Sequence, residues 1–315
     1  MSQSRTLALA CAASLACSSA AFAAGDPSSC KTVHFADVGW TDITATTAAT
    51  SLILEGLGYK PKTQIVSVPV AFVGLQKKNI DVFLGNWMPT METFIKPYLA
   101  DKSVEVVRAN LEGAKYTLAV SRAAYAGGLH DFKDIARFKD KLSGRIYGIE
   151  AGNDGNLLIE KMIKDNAFGL GDFKLVESSE AGMLVQVGRA EKSGEWVVFL
   201  GWEPHPMNSQ FKMDYLTGGD DYFGPNLGGA TVYTNTSAGY GARCPNVGKL
   251  LKNLEFTLPM ENTIMGGILN DKQKPETAAA AWLKANPQAL GPWLDGVTTI
   301  DGKDGLAAVK KYLGV

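Results

Sequence analysis

Val82-Phe83-Leu84-Gly85-Asn86-Trp87-Met88-Pro89 and Val198-Phe199-Leu200-Gly201-Trp202-Glu203-Pro204 are near copies, each running from an apolar stretch through Leu-Gly to Trp-x-Pro. A third segment, Phe35-Ala36-Asp37-Val38-Gly39-Trp40, also carries an apolar stretch into tryptophan. All three read as strands that end in an indole. In the two copies the glycine loosens the strand end and the proline stops it.

Working outward, strands are expected over 33–38, 64–69, 82–84, 115–121, 145–149, 174–177, 196–200 and 231–236. Helices are expected over 42–57, 70–79, 91–99, 132–138, 157–166, 248–254, 260–269, 275–285 and 306–313. This alternation argues for α/β layers with largely parallel sheets, and 315 residues suffice for two lobes. The first lobe is expected over 25–116 and the second over 117–206, with 207–315 returning to the first. Two lobes joined by two crossing strands form a cleft that closes by hinge motion. Ligand sites in such sheets lie beyond the carboxyl ends of the strands.

Composition narrows the function classes. The chain is 46% hydrophobic and 20% charged, with a net charge of -1. Its Lys and Arg are dispersed, so nucleic acid and anionic lipid are excluded as partners by charge. Arg5, the small apolar run 6–16 and Ala21-Phe22-Ala23-Ala24 read as an export signal over 1–24 with an A-x-A cleavage site. Cys17 has Ser14 three residues before it, where a lipid-anchored protein carries a long aliphatic residue, so no lipid anchor is expected. Cleavage leaves Cys30 and Cys244 of the four cysteines, and an oxidising compartment pairs them. No later apolar run approaches the roughly 18 residues that span a membrane, so the mature protein is expected to be periplasmic, soluble and monomeric.

Aromatic faces carry partial negative charge, so three indoles around one space suit a cation without hydrogen-bond donors, namely a quaternary ammonium. Asp42, two residues after Trp40, either caps the following helix or lies beside the cage. In the second role it attracts a cation and accepts a hydrogen bond from a hydroxyl while repelling a carboxylate, which favours choline over glycine betaine. Asn153, in Glu150-Ala151-Gly152-Asn153-Asp154-Gly155-Asn156, either caps a helix or reaches a polar ligand group. Trp196, Trp282 and Trp293 lie outside the pattern and are assigned to packing. His34, His130 and His205 are scattered, and neither H-E-x-x-H nor G-x-S-x-G occurs. No catalytic residue, metal or cofactor is therefore expected, and the chain reads as a binding protein.

The motifs Gly39-Trp40-Thr41-Asp42, Gly85-Asn86-Trp87-Met88-Pro89 and Gly201-Trp202-Glu203-Pro204-His205 resemble those of the glycine betaine/choline class of ABC-transporter substrate-binding proteins, over essentially the whole mature chain. The resemblance implies the two-lobed type II periplasmic binding fold. It implies a four-sided aromatic box of Trp40, Trp87, Trp202 and Tyr116 around an ammonium, with Asp42 and Asn153 holding a hydroxyl. Delivery to a membrane permease driven by a separate ATPase is implied in the same way. Glycine betaine, carnitine and acetylcholine are the alternative ligands, because the same cage serves any trimethylammonium head.

Overall fold

The computed structural model describes residues 25–315, so the export signal expected over 1–24 lies outside the described residues. The strands are β1 (Thr32–Asp37), β2 (Lys60–Ile65), β3 (Val82–Met88), β4 (Val104–Ser121), β5 (Arg145–Tyr147), β6 (Lys174–Val176), β7 (Val198–Glu203), β8 (Met213–Tyr215) and β9 (Gly229–Ser237). The longer helices are α1 (Thr41–Gly56), α2 (Val68–Gln76), α3 (Glu92–Ala100), α4 (Asp154–Lys164), α5 (Glu180–Ser193), α6 (Pro245–Asn253), α7 (Leu258–Leu269), α8 (Pro275–Ala285) and α9 (Gly305–Leu313).

Hydrogen bonding runs β2-β1-β3-β9-β4-β7-β5-β6, with β8 also on β4. The outer pairs β1–β2, β1–β3, β5–β6 and β5–β7 are parallel, and the central pairs involving β4 and β9 are antiparallel. The 18-residue β4 is shared between the two halves. It pairs with β9 up to Lys115 and with β7 from Lys115 onward. Residues 207–228, expected with the first lobe, lie against the second. There β8 pairs with Ala119–Ser121 of β4, Asp131 bridges Thr217, and the chain crosses back only at β9. The reason is that β9 leaves its edge of β4 free beyond Lys115, opposite the edge held by β7, and the short β8 covers it.

Several boundaries differ from the sequence reading. The second strand lies at 60–65 instead of 64–69. Helix α5 was not anticipated; Ser179 caps it by accepting from the Gly182 N–H, and Gly194 closes it at φ 70°. β3 and β7 do not stop before their tryptophans but run through Trp87 and Trp202. The motif glycines act by close packing rather than by loosening the strand. A Cβ on Gly85 would stand 2.7 Å from the Ile43 side chain of α1, and one on Gly201 2.9 Å from Ala119.

α1 packs against α7, α8 and α9 and is buried on nearly every side. Its threonines tolerate this because their hydroxyls bond back along the helix, Thr46 to the Asp42 carbonyl (3.1 Å) and Thr50 to the Thr46 carbonyl (2.8 Å). Cys30 and Cys244 are joined by a disulfide that ties the start of β1 to the start of α6. Asp26 reinforces the tie by accepting from the Asn246 and Val247 N–H groups at that helix start.

Candidate functional site

The turn from β1 into α1 sets the first wall. Asp37 accepts from the Gly39 N–H (2.7 Å) and the Thr44 hydroxyl (2.8 Å), Gly39 takes φ 82°, and the chain turns so that Trp40 leads directly into α1. Trp87 comes from β3. Tyr116 on β4 and Trp202 on β7 are cross-strand partners and therefore share one face of the sheet. The Tyr116 ring stands 6.0 Å from Trp87 and 6.2 Å from Trp202, both edge-to-face. Trp40, Asp42, Trp87, Tyr116, Ile149 and Trp202 line one space of about 250 Å³, its mouth included. Each of the four aromatic residues is at most 5% exposed.

Asp42 does not cap α1: the cap position is Trp40, which makes no side-chain cap bond, and Asp42 sits inside the first turn. Its carboxylate is 1% exposed. Oδ2 accepts from the Trp87 indole N–H at 3.1 Å, while Oδ1 has no partner. A buried carboxylate oxygen without a donor is costly, and this one belongs to a residue lining the aromatic space. Burial, and then the charge of Glu180, pushes the Asp42 carboxyl up to about 8. Glu261 on α7, fully buried, is held well above the usual range by desolvation and then by Asp42. None of the six lining residues carries a positive charge.

Asn153 is not among the lining residues. Its Oδ1 caps α4 by accepting from the Asn156 N–H (2.9 Å) and also accepts from the Tyr116 hydroxyl (3.3 Å), and its amide donates to the Glu150 carbonyl. It thus fastens one cage wall to the start of α4. Gly155 lets that helix approach, since a Cβ there would stand 2.1 Å from the Tyr116 hydroxyl oxygen.

The sequence reading missed Ile149 and two acceptors around the cage. Glu150 accepts from the Trp40 indole N–H (2.5 Å), and Glu180 from the Thr41 N–H (2.9 Å) and the Thr41 hydroxyl. His205 is buried; its Nδ1 accepts from the Met207 N–H (2.9 Å), so Nε2 carries the proton and donates to Glu180 at 3.2 Å. Asp154, also buried with both oxygens unpartnered, is pushed up to about 6 by desolvation. The only local signal for Glu180 was its place after Ser179 at a helix start. Trp196 packs on Phe138 and Trp282 on Trp293, away from the cage.

The family model for the substrate binding domain of the ABC-type glycine betaine transport system matches residues 31–285. An ABC-transporter choline binding protein solved in complex with choline is 65% identical, with a TM-score of 0.91, covering 92% of this chain and 100% of that one. The structure of an ABC-transporter choline binding protein in an unliganded semi-closed conformation, also 65% identical, superposes at 0.84 and covers 91% and 100%. The lactococcal OpuAC complexed with glycine betaine is 26% identical with a TM-score of 0.76, covering 84% and 99%.

Proposed function

Since the chain belongs to the family of substrate-binding domains of ABC-type glycine betaine transport systems, we propose that it selects choline, held in the cage of Trp40, Trp87, Tyr116 and Trp202 with its hydroxyl on Asp42. It is the substrate-binding component of a glycine betaine/choline ABC transporter and delivers its ligand to the membrane permease. No helix among the described residues is long and apolar enough to cross a membrane. The reading extends to action in the periplasm after removal of residues 1–24, and to capture without turnover.

The observation that carries the choice of ligand is the unpartnered Asp42 Oδ1 beside the aromatic walls. A trimethylammonium head satisfies the ring faces, and a hydroxyl supplies the donor that this oxygen lacks. Glycine betaine would bring a carboxylate to the same place, facing Asp42 with no lining cation to offset it. Asn153 supports the site by holding Tyr116 and retains one amide hydrogen for the ligand oxygen. Calorimetric titration of the mature protein with choline, acetylcholine, glycine betaine and carnitine tests the reading. Choline should bind at least about tenfold more tightly than glycine betaine, a margin of ~1.4 kcal/mol. Tighter betaine binding would remove Asp42 from the polar end.

Gly155→Ala tests the Tyr116 wall independently. The added Cβ must displace a stiff aromatic ring that is fully enclosed, an overpacking cost of about 1–3 kcal/mol. Choline affinity should fall about tenfold or more while glycine betaine loses by the same factor, because the wall contacts the shared head group. Unchanged affinity for both would show that the ring does not contact the ligand.

A further inference from the structure

We infer that Glu150 and Glu180 are positioning residues that latch the cleft shut by gripping the adjacent residues Trp40 and Thr41 across it, so that assembling the cage and closing the lobes are one event. This rests on the choline-capture reading above and names the part of the same site that controls release.

Trp40 and Thr41 sit where β1 meets α1, in the half built on β2-β1-β3. Glu150 follows β5 and Glu180 opens α5, both in the half built on β7-β5-β6. The partners are 110 and 139 residues apart in sequence. One carboxylate takes the indole N–H of a cage wall, and the other takes the backbone N–H and hydroxyl of the next residue.

The start of α1 explains why the second grip matters. A helix leaves its first N–H groups without intrahelical partners, and α1 has no side-chain cap of its own. Glu180 supplies that cap from the opposite lobe, placing a carboxylate at the positive end of the helix. His205, next to Trp202 at 4.9 Å between ring centroids, donates to the same carboxylate and holds it in place. Opening the cleft strips α1 of its cap and Trp40 of its indole acceptor together. Each bond is a hydrogen bond to a carboxylate, of the stronger class.

Binding and release of choline measured by stopped-flow fluorescence on Glu150→Gln, Glu180→Gln and Thr41→Val test this. The Thr41 change removes only the hydroxyl donor and leaves the helix backbone intact. Dissociation should accelerate about tenfold in the Glu180 variant, as for loss of a charge-assisted bond, and by smaller factors in the other two. Association and the ligand-free thermal transition should stay as in the unaltered protein. Combining Thr41→Val with Glu180→Gln should add nothing to the single Glu180 effect. Unaltered dissociation in all three variants, or slower association with unchanged dissociation, would overturn the latch. Failure of the unaltered protein to bind choline would overturn the ligand assignment instead.

Discussion

Trp202→Leu is expected to weaken choline binding about 30-fold, the loss of one desolvated cation–π contact of about 2 kcal/mol. Trp202 is the informative wall because Trp40 and Trp87 also hold carboxylates through their indole N–H groups. Leucine keeps an apolar side chain against His205 and Tyr116 but has no π-face. The control ligand is 3,3-dimethylbutan-1-ol, in which carbon replaces the ammonium nitrogen and the shape and hydroxyl are kept. The unaltered protein should prefer choline strongly to this alcohol, and in Trp202→Leu the preference should shrink by most of the 30-fold. Equal losses for the two ligands would mean that Trp202 contributes packing area and not attraction for charge. Calorimetry with both ligands, beside a thermal melt that confirms the fold, separates these outcomes.

Asp42→Asn is expected to cost about 10- to 100-fold in choline affinity at pH 8, since a hydrogen bond to a charged group contributes about 1.5–3 kcal/mol. The preference over glycine betaine should narrow at the same time, because the like-charge repulsion is removed. The pH profile provides the second signature. With protein groups alone around it, the Asp42 carboxyl is held up to about 8, first by desolvation and then by Glu180. A cation in the cage stabilises the ionised form and opposes both causes. Below about 8, binding must therefore displace a proton, so affinity should rise with pH, by at most about tenfold per unit, and level off above that value. Glu261 and Asp154 also lie near this region with raised values. The Asn variant isolates Asp42, because its profile should lose the Asp42 portion of the slope. Titrations in buffers of differing ionisation enthalpy would report the released proton directly. Identical profiles for the two proteins would show that Asp42 does not change protonation on binding.

Much of the architecture was legible because it is local. Alternating apolar runs and helix periodicity placed most elements within a few residues, and the repeated Leu-Gly–Trp-x-Pro pattern pointed to one kind of wall in two places. The errors have physical causes. Lys60-Pro61-Lys62-Thr63-Gln64-Ile65 has only one large apolar residue, so this exposed edge strand carries no hydrophobic signal and the pattern points instead to the more apolar 64–69. Helix α5 begins in a polar stretch and buries few side chains, so its amphipathic pattern is too weak to mark a helix. Gly85 and Gly201 looked like breakers, since nothing local reveals that Ile43 and Ala119 would meet their Cβ atoms.

By itself, the sequence determined the chemistry on offer: three indoles after apolar strands, a carboxylate two residues beyond the first, two cysteines beyond residue 24 and no catalytic motif. Those follow from residue type and short spacing, on which strand and turn formation depend. Only the tertiary structure decided how the carboxylates divide their work. Asp42 keeps one oxygen free because its other oxygen is committed to Trp87, 45 residues away. Glu150 and Glu180 meet Trp40 and Thr41 only when the two halves of the sheet come together. Desolvation and hydrogen-bond satisfaction depend on everything packed around a group, whatever its distance along the chain, and the order of the residues does not display them.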